Sequence, residues 1–177
     1  MKSVPENQKQ KEAVILEKEH INLLLVDDED ALLESIRRRL QLRDFNVIAV
    51  NRGEKALEVA RTEPIDVAIL DLKMPGMSGK DVLIALKRDY PWLEVIILTG
   101  HGSFDPENEK EFGKAHTYLS KPCDLNTLLA TLVAAYKKTV MNRRGMTPEE
   151  IASQLKGIDA ASPRAILKKL KELDSNV

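Results

Sequence analysis

The sequence predicts an α/β fold in which a five-stranded parallel sheet carries helices on both faces. Short apolar runs rich in β-branched residues alternate with segments whose apolar residues recur at helical spacing. Polar or turn-forming residues bound each run, as expected for strands that are buried on both sides of a parallel sheet. The alternation covers residues 21–140. We therefore predict one domain over that range, with residues 1–20 as a mobile N-terminal extension and 141–177 as a C-terminal helical extension.

Strands are predicted over five segments: Ile21–Val26, Phe45–Val50, Ile65–Leu70, Glu94–Leu98 and His116–Ser120. Helices are predicted around Leu32–Leu40, over Glu54–Arg61, from Ser78 to Tyr90 and from about Asp124 to Gly145. The segment between Ser103 and Ala115 is very polar, so we expect only a short, loosely attached helix there.

Composition excludes several classes of protein. The 177 residues suffice for one buried core with appendages, and the net charge of −1 gives the whole chain no attraction to nucleic acid or anionic membranes. Cys123 is the only cysteine, which excludes an intramolecular disulfide and favours a reducing, cytoplasmic location. No apolar stretch is long enough for a signal peptide or a membrane span.

Four of the predicted strands end on a chemically active side chain. Asp27 and Asp28 follow the first strand, Asp71 the third, Thr99 the fourth and Lys121 the fifth. The carboxyl ends of parallel strands lie at one edge of the sheet, so these groups converge although they are distant in sequence. Each alone has an ordinary explanation, such as a solvated lysine or a threonine helix cap. Their occurrence together favours a binding site.

Three carboxylates and one ammonium would leave this site negative. Repulsion would raise the carboxylate pKa values unless a hard cation such as Mg²⁺ were bound. A lysine suits a phosphoryl oxygen, and a threonine hydroxyl can donate to the same oxygen. Phosphoryl transfer depends on positioning and charge neutralisation, both of which this set supplies. The sequence therefore indicates phosphoryl chemistry assisted by Mg²⁺.

Four stretches of this sequence resemble the signature motifs of the response-regulator receiver domain of two-component signalling. They are Val26–Glu29, Asp71–Gly79, Leu98–Gly100 and Tyr118–Pro122. The resemblance implies a flavodoxin-like sheet of strand order 2-1-3-4-5. It also implies a signalling switch that is not an enzyme beyond its own phosphorylation and dephosphorylation, with a sensor histidine kinase or phosphotransfer protein as partner.

The resemblance assigns roles to individual residues. Asp71 would be the phosphoacceptor, and Asp28, Asp71 and the backbone carbonyl of Lys73 would bind Mg²⁺, with Asp27 contributing indirectly. Lys121 would pair with Asp71 at rest and with the phosphoryl group afterwards. The remaining implied features are phosphoryl contact by Thr99, inward rotation of Tyr118 and a cis peptide bond at Lys121–Pro122.

Other functions fit the sequence less well. A haloacid-dehalogenase-type enzyme needs a second acid two residues after its nucleophile, where this chain has Lys73. In the C-terminal extension, Thr147-Pro148-Glu149-Glu150 begins one helix and Pro163 begins another. This pair is interpreted as a docked hairpin that serves packing, homodimerisation or partner contact. The alternative is a reduced helix-turn-helix over residues 147–173, which would make the chain a DNA-binding transcriptional regulator.

Overall fold

The computed structural model describes residues 20–100 and 115–175. Its strands form one sheet in which all neighbours are parallel, in the order β2-β1-β3-β4-β5, so the predicted fold class and strand order are confirmed. The strands are β1 (Ile21–Val26), β2 (Phe45–Val50), β3 (Val67–Leu70), β4 (Glu94–Thr99) and β5 (Thr117–Ser120).

Six helices lie within the described ranges. They are α1 (Asp30–Gln41), α2 (Gly53–Thr62), α3 (Gly79–Asp89), α4 (Leu125–Arg144), α5 (Pro148–Gln154) and α6 (Pro163–Ser175). Strand β3 begins two residues later than the apolar run predicts. The reason is that the backbone N–H of Asn22 in β1 donates to the side chain of Asp66 at 2.9 Å, and the regular ladder starts only at Val67.

The sheet separates two apolar cores. Alternate residues of β1 face opposite sides, so Leu23 and Leu25 pack with α1, α4, α5 and α6, whereas Leu24 and Val26 pack with α2 and α3. All four leucine and valine side chains are almost completely buried. Burial on both faces explains why these strands read as continuous apolar runs in the sequence.

The C-terminal helices dock on the first of these cores. Helix α4 ends at Gly145, which adopts the left-handed conformation with φ 65° that glycine tolerates best. Helix α5 then begins with a reciprocal capping box between Thr147 and Glu150. Leu167 and Leu170 of α6 are buried in the same core as the sheet. The extension is therefore docked on this core, where α6 packs against α4.

Buried charges fix α6 to the edge of the sheet where the strands begin. Asp66, just before β3, is 3% exposed. Its carboxylate accepts hydrogen bonds from Arg143 of α4 at 3.0 Å and from Lys171 of α6 at 2.9 Å. One carboxylate thus joins the sheet to two C-terminal helices.

A second buried carboxylate completes this group. Asp174 of α6 accepts hydrogen bonds from Arg143, from Arg144 at 3.2 Å and from the hydroxyl of Tyr136 at 3.1 Å. The Arg143 guanidinium also lies 4.1 Å from the ring centre of Trp92. We call Asp66, Asp174, Arg143, Arg144 and Lys171 the amino-edge cluster.

Two predicted features fall outside the described residues. The mobile extension over residues 1–20 falls there except for His20, and so does the short helix expected between residues 103 and 115, except for Ala115. Within residues 20–100 and 115–175, no helix combines the length and apolar character that crossing a membrane requires.

Candidate functional site

Backbone hydrogen bonds hold the three key residues at the carboxyl edge of the sheet. Asp27 donates its N–H to the last residue of β2 at 3.2 Å, and Asp71 donates to the last residue of β1 at 2.9 Å. Lys121 donates to the last residue of β4 at 2.7 Å. Each residue thereby extends a parallel ladder by one position beyond the strand. The sheet itself sets where these side chains begin.

Three carboxylates meet at this edge. One oxygen from each of Asp27, Asp28 and Asp71 lies within 4.8 Å of the others. Asp27 and Asp71 are buried, whereas Asp28 is exposed, so the cluster opens to solvent on the Asp28 side. The structure therefore brings together the three acids that the sequence placed at the ends of β1 and β3.

This crowding changes the acidity of Asp71. Burial raises the pKa of the Asp71 carboxyl, and the charges of Asp27 and Asp28 raise it further. The charge of Lys121 and a hydrogen bond from the Lys73 backbone act in the opposite direction, but the pKa still lies above the ordinary aspartate value. The positive charge near Asp71 is therefore too small to offset its burial and the negative charges of its neighbours.

The donor set fits a hard divalent cation. Three carboxylates within one ion's reach supply the oxygen ligands that Mg²⁺ binds, and the exposed side leaves room for water ligands. The raised pKa of Asp71 supports the same conclusion. It reflects in part the repulsion between these carboxylates, which a cation placed among their oxygens would relieve. These residues are thus suited to Mg²⁺.

The Lys121 ammonium contacts three acids rather than one. Its Nζ lies 2.6 Å from Asp27, 3.2 Å from Glu29 and 3.6 Å from Asp71. Burial lowers the pKa of Lys121, but the hydrogen bond to Asp27 and the neighbouring negative charges outweigh burial and raise it overall. The resting contact with Asp71 that the resemblance implied is present, but it is the longest of the three.

Thr99 presents a buried hydroxyl at the end of β4. The residue is 2% exposed, and its Oγ1 has no hydrogen-bond partner among residues 20–100 and 115–175. A buried hydroxyl without a partner costs free energy, so a phosphoryl oxygen that accepted a hydrogen bond from Thr99 would be favoured.

Two other features that the resemblance implied lie on β5 and just after it. Tyr118 is half-buried against the α2–α3 core, and the Lys121–Pro122 peptide bond is cis.

Gly79 fixes the loop that follows Asp71. A Cβ atom on Gly79 would lie 2.0 Å from the backbone oxygen of Asp71. The Gly79 N–H also donates to the carbonyl of Leu72 at 3.0 Å, and Ser78 caps α3 through a reciprocal pair with Asp81. The first turn of α3 therefore rests directly on the backbone of Asp71, which only glycine permits.

Glu29, to which the sequence patterns assign no role, contacts Lys121 in the structure. The available signal was the run of four consecutive acids, Asp27 to Asp30, that follows β1. Asp27 and Glu29 both contact Lys121, and which of the four acids do so depends on how α1 begins, which the sequence pattern does not specify. The amino-edge cluster was missed for a similar reason, because its members are far apart in sequence.

Comparison with known proteins agrees with this geometry. The sequence profile of the family described as the response regulator receiver domain matches residues 23–133, which is more than half of the chain. The chain belongs to the response regulator receiver family. Members of this family are phosphoacceptors of two-component systems and bind Mg²⁺ at an acidic pocket.

Several relatives are transcriptional regulators. The alginate biosynthesis transcriptional regulatory protein AlgB of Pseudomonas putida is 30% identical over 161 residues, covering 88% of this chain and 36% of AlgB. The transcriptional regulatory protein KdpE of Mycobacterium tuberculosis is 36% identical over 118 residues, covering 66% of this chain and 51% of KdpE. The chain thus spans only about a third to a half of the length of these relatives.

Solved receiver domains share the fold. A response regulator receiver domain protein from Clostridium thermocellum is 32% identical with a TM-score of 0.59, covering 71% of this chain and 97% of that one. The response regulator TrrA from Thermotoga maritima, in complex with Mg²⁺ and BeF, is 25% identical with a TM-score of 0.58, covering 65% and 98%. The TrrA complex shows that a related receiver binds magnesium.

Proposed function

We propose that Asp71 accepts a phosphoryl group from the phosphohistidine of a sensor histidine kinase or phosphotransfer protein. The observation that carries this proposal is the convergence of Asp71 with Asp27, Asp28 and Lys121 at one edge of the sheet. A buried carboxylate that lacks full neutralisation is unusual in a purely structural position. Membership of the receiver family supports the same role.

The transfer requires one bond to form and one to break. A carboxylate oxygen of Asp71 attacks phosphorus, and the bond between phosphorus and the imidazole nitrogen of the donor breaks. The electron pair stays on that nitrogen, which takes up a proton from water. The Lys121 ammonium, whose raised pKa keeps it charged, neutralises a phosphoryl oxygen. The Thr99 hydroxyl, which has no hydrogen-bond partner among the described residues, donates to another.

Asp28, Asp71 and the backbone carbonyl of Lys73 would hold Mg²⁺, with Asp27 contributing indirectly. When bound, the ion supplies positive charge to the phosphoryl oxygens and to the crowded carboxylates. Asp27 suits an indirect role because its Oδ2 already lies 2.6 Å from Lys121 and its Oδ1 accepts the backbone N–H of Glu29.

The phosphorylated form would act as a switch and not as an enzyme on a separate substrate. Thr99 would move to the phosphoryl group, and Tyr118 would turn inward into the space vacated. Residues 21–140 would form the receiver, with residues 141–177 as a docked extension that contacts an output partner or a second copy of the chain.

A small phosphodonor tests the proposal directly. Wild-type protein treated with acetyl phosphate and Mg²⁺ should gain the mass of one phosphoryl group, measured by intact mass spectrometry, and Asp71→Asn should gain none. Asp44→Asn is the matched control, because Asp44 is exposed at a φ of 66° that asparagine tolerates. A mass gain that persists in Asp71→Asn would refute the assignment.

DNA binding through residues 147–173 is the second candidate. The names of AlgB and KdpE as transcriptional regulators favour it. However, the inner face of α6 is used in docking, and Arg164 pairs with Asp44 at 2.8 Å. If α6 did bind duplex DNA, the exposed Lys168 would contribute, and Lys168→Glu would weaken a binding that also falls steeply with salt. Unchanged binding in that variant would exclude α6 as the DNA contact.

A further inference from the structure

Glu29 occupies an unusual position at the mouth of the site. It is the residue that precedes α1, where a short polar side chain commonly caps the helix, yet its side chain makes no cap hydrogen bond. Its carboxylate instead accepts a hydrogen bond from Lys121 at 3.2 Å, across 92 residues of sequence. The side chain is 64% exposed. Glu29 therefore reaches over the site from its rim.

The two acids closest to Lys121 differ in how firmly they are held. Asp27 is buried, and its second carboxylate oxygen accepts the backbone N–H of Glu29 at 2.9 Å. Glu29 is held at its backbone by that same bond, but its side chain is open to solvent. The Glu29–Lys121 contact is therefore the easier of the two to break.

The ammonium must be redirected when a phosphoryl group arrives. In the resting protein Lys121 lies closer to Asp27 and to Glu29 than to Asp71. A lysine ammonium has three hydrogens, and two of them already serve Asp27 and Glu29, so a phosphoryl oxygen on Asp71 can bond the third only in the direction that those two contacts leave. The exposed contact with Glu29 is the one whose loss costs least.

We propose that Glu29 is a positioning residue that restrains Lys121 at the rim of the site and thereby slows phosphorylation of Asp71. This role rests on the proposed function of Asp71. Without the Glu29 contact, Lys121 would be freer to neutralise the oxygens of the transferring phosphoryl group. Because exposed ion pairs are weak, we expect the rate to rise by about three-fold, and not by orders of magnitude.

Three variants distinguish the effect of the Glu29–Lys121 contact from the effect of negative charge at the rim of the site. Glu29→Gln removes the charge, while Glu29→Asp keeps the charge and shortens the side chain by one methylene. Asp30→Asn removes a neighbouring acid whose partner is the side chain of Asn51 and not Lys121. Rates of phosphorylation by acetyl phosphate at fixed Mg²⁺ should rise about three-fold in both Glu29 variants and stay at the wild-type value in Asp30→Asn.

An equilibrium measurement provides a second readout. Beryllofluoride mimics a phosphoryl group on a carboxylate, and its affinity can be measured by calorimetry at saturating Mg²⁺. Both Glu29 variants should bind it about three-fold more tightly than wild type. Their affinity for Mg²⁺ alone should not increase, because removing or withdrawing an anion cannot strengthen the binding of a cation.

The outcomes distinguish this role from the proposed function. If wild-type protein gains no phosphoryl group, the proposed function fails and the role of Glu29 fails with it. If wild type is phosphorylated on Asp71 but both Glu29 variants match it, only the role of Glu29 is overturned. An equal increase in Asp30→Asn and Glu29→Gln, with none in Glu29→Asp, would also overturn it, since rim charge alone would then explain the rates.

Discussion

The two edges of the sheet carry buried charges that are arranged in opposite ways. At the amino edge, the carboxylates of Asp66 and Asp174 face three cations, and each carboxylate accepts hydrogen bonds from at least two of them. At the carboxyl edge, the one ammonium of Lys121 contacts the carboxylates of Asp27, Glu29 and Asp71, and Asp28 adds a fourth negative charge. Strand β3 connects the two, with Asp66 before its first residue and Asp71 after its last.

The difference in charge balance separates a structural cluster from a reactive site. Buried charges that are paired and hydrogen-bonded hold elements in place, and breaking them costs stability. Carboxylates that lack such neutralisation destabilise the resting protein and favour the binding of a cation or the addition of a group. The raised pKa of Asp71 is the sign of this second condition.

The largest loss of stability should come from a change at Gly79, where α3 packs on the backbone of Asp71. In Gly79→Ala the added methyl would meet the backbone oxygen of Asp71 at 2.0 Å, so β3 and α3 must separate. We expect a loss of roughly 4 kcal/mol or more in the free energy of unfolding. Urea denaturation would measure it. Gly100→Ala is the control, since its added Cβ meets no described atom within 4 Å; similar losses in both would contradict the close-packing account.

Breaking the amino-edge cluster should have the next largest effect. Asp174→Ala leaves Arg143, Arg144 and the Tyr136 hydroxyl without their shared acceptor, at a cost of roughly 3 kcal/mol. Trp92, the only tryptophan, stacks on Arg143 and should report the change by fluorescence during denaturation. The initial rate of phosphorylation in native conditions should not change. A stability equal to that of wild type would show that the cluster does not hold α6.

A third charged group, at the start of β4, gives a pH-dependent prediction. Glu94 is 2% exposed and lies 3.0 Å from His116 and within 3.6 Å of Lys87 and Lys138. Burial raises the pKa of Glu94, but the hydrogen bond from His116 and the lysine charges outweigh burial and lower it below the ordinary 4.5. A lowered carboxyl pKa gives stability that is present above pH 4.5 and is lost as the pH falls through the folded-state pKa.

Glu94→Gln should therefore cost roughly 2 kcal/mol near neutral pH and progressively less below pH 4.5. Denaturation of both proteins at several pH values between 3 and 7 would measure the difference. The exposed Glu58, which pairs with Lys55, provides the control variant Glu58→Gln, for which we expect little effect. A constant Glu94→Gln deficit down to pH 3 would argue against this linkage.

The smallest expected change in stability is at Asp71, and it is compared with a change at Asp66 at the other end of β3. Because the pKa of Asp71 is raised, its ionised form destabilises the fold at neutral pH, and Asp71→Asn should add about 1 kcal/mol in the absence of Mg²⁺. The gain should shrink as the pH falls and wild-type Asp71 becomes protonated. Asp66→Asn, at the other end of β3, should lower stability instead. Shifts of the same sign would remove the contrast between the edges.

Much of the fold could be predicted because it depends on local patterns. The apolar runs of β1 and β2 match the observed strands at both ends, and the Thr147–Glu150 capping pattern marks the start of α5. Strand β3 was predicted two residues too long because a side chain, Asp66, replaces a backbone acceptor there. Hydrophobic periodicity does not indicate where a side chain takes the place of a backbone hydrogen-bond acceptor.

The sequence by itself determined which acids, hydroxyl and amine stand at the strand ends. Parallel strands then bring them to one edge, because a parallel sheet has all its carboxyl ends on the same side. Only the tertiary structure decided how Lys121 divides its contacts among Asp27, Glu29 and Asp71. It also decided that Asp66 and Asp174 share Arg143. Contacts of this kind depend on distances between distant segments, which local sequence patterns do not specify.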